Sequence, residues 1–171
     1  MKGRLDRFLY RNLLIPDDAI GWHKPAARLG REICRKRKID VVVTTAPAFT
    51  DLLVGGAIKR ATGIPWVADY RDLWTGDVLR EWVPKWRQRI ELRMERRVVG
   101  RADAVVTVSE RKTEVMRDRL QSIAPDRFYT ITNGYDPEEY EHIQRVPRHD
   151  GKVRIVYTGR LFKNRRGYEL L

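Results

Sequence analysis

The run Asp69-Tyr70-Arg71-Asp72 sets two carboxylates around one guanidinium. A carboxylate accepts a hydrogen bond from a substrate hydroxyl, and a guanidinium grips an oxyanion through a rigid fork of donors. The run closes Pro65-Trp66-Val67-Ala68, a mostly apolar stretch that reads as a buried strand. In open α/β sheets, ligands bind beyond the carboxyl ends of the strands, which is where Asp69, Arg71 and Asp72 would fall. The same trio also fits an ion pair that only shapes the loop, and the pattern alone does not separate the two. His23, His142 and His149 are scattered, and no His, Cys or Asp spacing fits a metal site.

Helices and buried strands alternate along the chain. Trp22, Ala26, Leu29 and Ile33 recur at helical spacing and predict one buried helix face. Asp40 to Thr45 is a β-branched run suited to a strand covered on both faces. Thr50 is placed to cap a second helix that ends near Gly63. Residues 65–70 form the next strand, and a third helix is predicted from about Pro84 to Val99. Residues 103–108 form a third strand, after which Ser109 caps a helix through Leu120. Residues 128–131 make a short fourth strand, closed by a turn at Asn133-Gly134 whose glycine is expected at positive φ. A polar linker follows, and Val153 to Tyr157 reads as one more strand. This alternation predicts an α/β fold with a Rossmann-like, doubly wound parallel sheet.

The chain has 171 residues and a formal net charge of +12. Such an excess bears on partners rather than on fold, and admits nucleic acid, an anionic membrane surface or phosphate-rich substrates. The basic residues are spread over several helices without a nucleic-acid motif, so nucleic acid is not expected. In the third helix, Trp82, Trp86, Ile90 and Met94 fall four apart among Lys85, Arg87, Arg89, Arg93, Arg96 and Arg97. The stripe is read as packing on the sheet, with an interfacial membrane helix as the alternative. One cysteine, Cys34, allows no internal disulfide. No run approaches the roughly 18–20 apolar residues of a membrane span. The N-terminus lacks a signal-peptide core. A cytoplasmic chain, peripheral at the inner face of the cell membrane if it meets lipid, is the expectation.

Five segments, in order, resemble glycosyltransferase family 4. They are residues 39–67, the loop "IPWVADYRDLW", "RADAVVTVSE", "TITNGYDPEEY" and "IVYTGRLFKNRRGYELL". The resemblance implies a GT-B fold of two facing Rossmann-like domains. Residues 1–150 would be a partial acceptor domain with its linker, and residues 151–171 the start of a donor domain. It implies transfer of a sugar from a nucleotide-sugar donor to a glycan or lipid-linked acceptor, with retention and without a cofactor or bound metal. Gly159, Arg160, Lys163 and Arg166 would then meet the donor diphosphate, and Asp69, Arg71 and Asp72 would serve the acceptor side. Many members carry His where this chain has Arg71. The alternative reading is a non-catalytic or nucleic-acid-binding basic α/β module that keeps the fold without the chemistry. An incomplete chain, weak or inactive alone, is the expectation for so short a donor side.

Overall fold

The computed structural model describes residues 12–77, 80, 82–143 and 151–158. Two compact units divide the chain, Met1–Gly134 and Tyr135–Leu171. Among the described residues the first holds four strands, β1 (Val42–Ala46), β2 (Trp66–Tyr70), β3 (Ala104–Thr107) and β4 (Phe128–Thr130). With them the described residues form the α-helices α1 (His23–Lys36), α2 (Thr50–Thr62), α3 (Lys85–Val99) and α4 (Glu110–Arg119). All strand pairs are parallel, in the sequential order β1-β2-β3-β4. The parallel, Rossmann-like α/β architecture expected from the sequence is the one found.

Sequential order has a geometric consequence. Crossovers of one hand then place every connecting helix on the same face of the sheet. The contacts agree. A Cβ added at Gly55 of α2 would lie 2.3 Å from Trp66 Nε1 and 2.9 Å from Thr44 Cγ2, so glycine lets α2 lie directly on the sheet. Thr113 of α4 meets Thr107 and Thr130 on that same face. Trp66, Ala68, Tyr70, Val105 and Phe128 point this way and form the core with Leu52, Val99, Met116 and Leu120. The opposite face is only partly covered: Val43 is 58% exposed and Thr45 and Tyr129 are exposed, while Asp69 and Val106 are buried. The continuous burial expected for residues 40–45 therefore gives way to alternation, because the described residues supply one helical wall of the sheet.

Helix ends follow local chemistry. α2 stops at Gly63, whose φ of 75° suits glycine and whose N–H bonds Lys59 O at 2.9 Å. Ser109 caps α4 by accepting from the Lys112 N–H. Thr50, expected as a cap, is instead the first residue of α2. Buried Asp17 does the capping from 33 residues away, accepting from Thr50 N at 3.0 Å and Thr50 Oγ1 at 2.7 Å. A carboxylate at this end also suits the helix dipole.

Two helices turn a different face inward from the one periodicity predicts. On α1, Trp22, Leu29 and Ile33 are exposed, while Ala27 is buried and Cys34 packs beside it against Val54 and Ile58 of α2. A Cβ at Gly30 would meet Ile58 Cδ1 at 2.4 Å, so a stripe of small residues decides the close approach. On α3 the inversion is sharper. Trp86 and Ile90 are 45% and 37% exposed, while Arg87, Glu91 and Glu95 are buried. The packing reading of the aromatic stripe is thus corrected; only Met94 of that stripe lies against the core.

Of the inward charges of α3, Arg87 and Glu91 are satisfied by neighbours, whereas Glu95 keeps Oε1 without a hydrogen-bond partner among the described residues. Arg87 donates from Nε to Glu91 Oε1 at 2.6 Å and from Nη2 to Leu14 O and Pro16 O, each at 2.9 Å. Arg80 donates to Glu91 Oε2 at 2.8 Å and to Trp74 O at 3.0 Å. Its guanidinium lies 5.0 Å from the Phe49 ring centroid, and Phe49 stacks on Trp74. This network joins the N-terminal segment, the β1–α2 loop, the loop after β2 and α3.

In the second unit, a 3₁₀ turn spans Glu138–Tyr140. Residues 153–157, expected as a strand, pair with no strand among the described residues, and Val153, Ile155 and Val156 stay exposed.

Candidate functional site

The carboxyl ends of the strands bring Asp69, Arg71 and Asp72 to one rim with residues from later elements. Asp69 is the fourth residue of β2, in register with Thr45 and Val106. Its side chain lies on the face opposite the helices and is buried. Arg71 follows the strand, and its backbone N–H bonds Ala46 O at 2.9 Å, so the end of β1 sets its position. Arg71 Nε donates to Asp69 Oδ2 at 2.9 Å, and Nη1 donates to Asn133 Oδ1 at 2.7 Å. Asp69 Oδ1 is buried without a hydrogen-bond partner among the described residues. A carboxylate oxygen in that state is costly unless something supplies a donor.

Asp72 lies on the other flank. Lys112 Nζ bonds its Oδ1 at 3.1 Å and the Arg71 carbonyl at 2.6 Å. The first turn of α4 presents Lys112, and a chain of hydroxyls fixes that turn: Thr107 to Thr113 and Thr113 to Thr130, 2.7 Å each. The rim thus carries two carboxylates and two cations. It can accept hydrogen bonds from hydroxyls and offer positive charge to an oxyanion.

Sequence reasoning located Asp69, Arg71 and Asp72 and missed Lys112 and Asn133. Each of the latter follows a strand end, so the rule that ligands gather at carboxyl ends was the available signal. Asn133 does not sit in the expected turn: Gly134 lacks positive φ, and the Asn133 side chain serves as an acceptor for Arg71. The other four expected site residues, Gly159, Arg160, Lys163 and Arg166, lie outside the described residues. Among the described residues, no cluster of His, Cys, Asp or Glu could hold a metal ion.

Behind the rim a cavity of about 230 Å³ is lined by Trp74, Thr75, Arg80, Gln88, Glu91 and Arg119, among others, and by none of the rim trio. Glu95 is buried nearby and accepts from the Thr75 hydroxyl. Burial pushes its carboxyl up to about 7, against the opposing pull of the Thr75 and Tyr70 hydroxyls and of the Arg119 and Arg80 charges. Tyr70 is pushed up in turn, by burial first and then by Glu95. The Asp51 carboxyl at the start of α2 is raised by burial and by the Asp17 charge.

A parallel α/β unit with carboxylates and cations at its strand ends has the architecture of a glycosyltransferase-like Rossmann domain. The chain matches Glycosyltransferase Family 4 over residues 4–139, which span the whole described rim, and it belongs to that family. No curated protein matches it.

Proposed function

We propose that the protein transfers a sugar from a nucleotide-sugar donor to a glycan or lipid-linked acceptor, with the β2 rim on the acceptor side. Family membership supports sugar transfer, and the rim supplies the chemistry an acceptor needs. The observation that carries the assignment is Asp69 Oδ1, a buried carboxylate oxygen without a donor at the carboxyl end of a parallel strand. An acceptor hydroxyl is such a donor, and a substrate reaches it by turning aside the half-exposed Arg71 side chain bonded to the other oxygen. Arg71 and Lys112 offer cations to a phosphate on a lipid-linked acceptor. On the donor side, Gly159, Arg160, Lys163 and Arg166 are assigned to the leaving diphosphate. Fixed cations there stabilise the growing negative charge. Retention at the transferred carbon and independence from metal belong to the same reading.

The test is to incubate the complete protein with radiolabelled nucleotide sugars and an organic extract of cell membranes. Label is expected in the lipid or glycan fraction for one donor class. Absence of transfer from every common donor would overturn the reading.

A further inference from the structure

The cavity behind the rim carries an inference that does not depend on sugar transfer. Its volume is about 230 Å³, and Trp74, Thr75, Gly76, Arg80, Glu91 and Arg119 are on its walls. Several hydrogen-bond donors of these walls are left over. Trp74 is fully buried, and its Nε1 has no hydrogen-bond partner among the described residues. Arg119 donates from Nε to the Thr75 hydroxyl at 3.3 Å, which leaves both terminal nitrogens of its fork. Arg80 is held through Nη1 and Nη2 by Trp74 O and Glu91 Oε2, which leaves its Nε. Gly76 permits the close approach of Arg119: its φ is 83°, and a Cβ there would lie 2.8 Å from Arg119 Cδ.

The charge of the walls suits an anion. Glu91 has a guanidinium on each oxygen, Arg87 at 2.6 Å and Arg80 at 2.8 Å. Glu95, beyond Thr75, is raised to about 7 by burial, so it stays mostly protonated in slightly acid solution. Asp77 also borders the cavity, and Arg80, Arg87 and Arg119 outnumber it and Glu91. From this geometry we infer that the cavity binds a phosphate group, as the free ion or as a phosphomonoester. A tetrahedral oxyanion takes several N–H donors at once, and a guanidinium fork meets two of its oxygens together. The Trp74 N–H adds a neutral donor of the kind that is costly to bury unpaired. Packing alone does not account for such a donor beside two guanidiniums with unused nitrogens.

The test is titration of the isotope-labelled full chain with inorganic phosphate, glycerol phosphate or glycerol, at about pH 6.5 so that Glu95 keeps its proton. The readout is the Trp74 indole N–H resonance in nitrogen–proton spectra, assigned with Trp74→Phe. Inorganic phosphate, its glycerol ester or both should move that resonance downfield and saturate at about millimolar concentration, and glycerol should not. Tighter binding of the ester assigns the site to a phosphorylated molecule, and tighter binding of inorganic phosphate to the free ion. Arg119→Ala should weaken binding about tenfold or more, with Arg119→Lys, which keeps the charge without the fork, in between. Arg119 is half-buried, so both variants should melt near wild type. Lys112→Ala removes an equal charge at the rim and should leave the titration unchanged. Four results overturn the inference: no saturable shift with either phosphate, the same shift with glycerol, undiminished binding by Arg119→Ala, or loss in Lys112→Ala, which would put the anion at the rim.

Discussion

The rim at the carboxyl ends of the strands and the layer beneath α3 use the same residue types to opposite ends. Beneath α3, Arg87, Glu91 and Arg80 interlock: Glu91 has a guanidinium on each oxygen, and Arg87 also reaches two backbone carbonyls. At the rim, Asp69 keeps one oxygen without a partner, and Arg71 and Asp72 remain partly open to solvent. Closed networks hold parts of a chain together, whereas incomplete ones are available to a ligand. Perturbing the two regions should therefore give opposite signatures, stability loss in one and activity loss in the other.

The largest stability effect is expected from Arg87→Ala. It leaves the buried Glu91 charge with half its pairing and the carbonyls of Leu14 and Pro16 without their donor. Breaking a buried pair from one side costs about 3–5 kcal/mol, readable in urea unfolding. A loss comparable to that of a surface change would remove the distinction drawn here.

Glu95 comes next, through pH. Its carboxyl holds a proton up to about pH 7 in the folded chain, against 4.5 for an ordinary glutamic acid. Between those values the folded state keeps a proton that the unfolded state has released. The contribution of Glu95 is therefore fully present below about 4.5 and is lost as pH rises through 7, by up to about 3 kcal/mol. Unfolding curves across this window should show the decline, and Glu95→Gln should flatten it. An unchanged slope in the variant would assign the pH dependence elsewhere.

The smallest stability effect belongs to the Asp72–Lys112 pair, in which Asp72 is largely exposed. Solvent screens such pairs, so Asp72→Asn should cost under about 1 kcal/mol in a thermal melt. A larger loss would make that flank of the rim structural and narrow the site to Asp69 and Arg71.

Much of this architecture was legible in the sequence, and the exceptions have a physical cause. β-branched runs, Pro65 and Pro84, Gly63 and the Ser109 cap act locally, so strands, helices and their ends could be read in place. The inward faces of α1 and α3 could not. Periodicity reports how apolar residues are spaced but not which face meets the sheet, and that choice rests on Gly30 against Ile58 and on Arg87 against carbonyls 71 and 73 residues away. The rim shows the same division. Asp69, Arg71 and Asp72 are contiguous and announced themselves, whereas Lys112 and Asn133 arrive from 41 and 62 residues downstream and only the strand order brings them in.

The most direct test of the rim as a working site is a paired measurement on the complete protein: transfer of labelled sugar and the melting temperature, for wild type, Asp69→Asn and Arg71→Ala. Both substitutions are expected to lower kcat/KM by about a hundredfold, equivalent to about 2.7 kcal/mol of lost transition-state stabilisation, while melting stays within a few degrees. Near-normal transfer by both variants would contradict the assignment and leave Asp69 and Arg71 as an ion pair that shapes the loop.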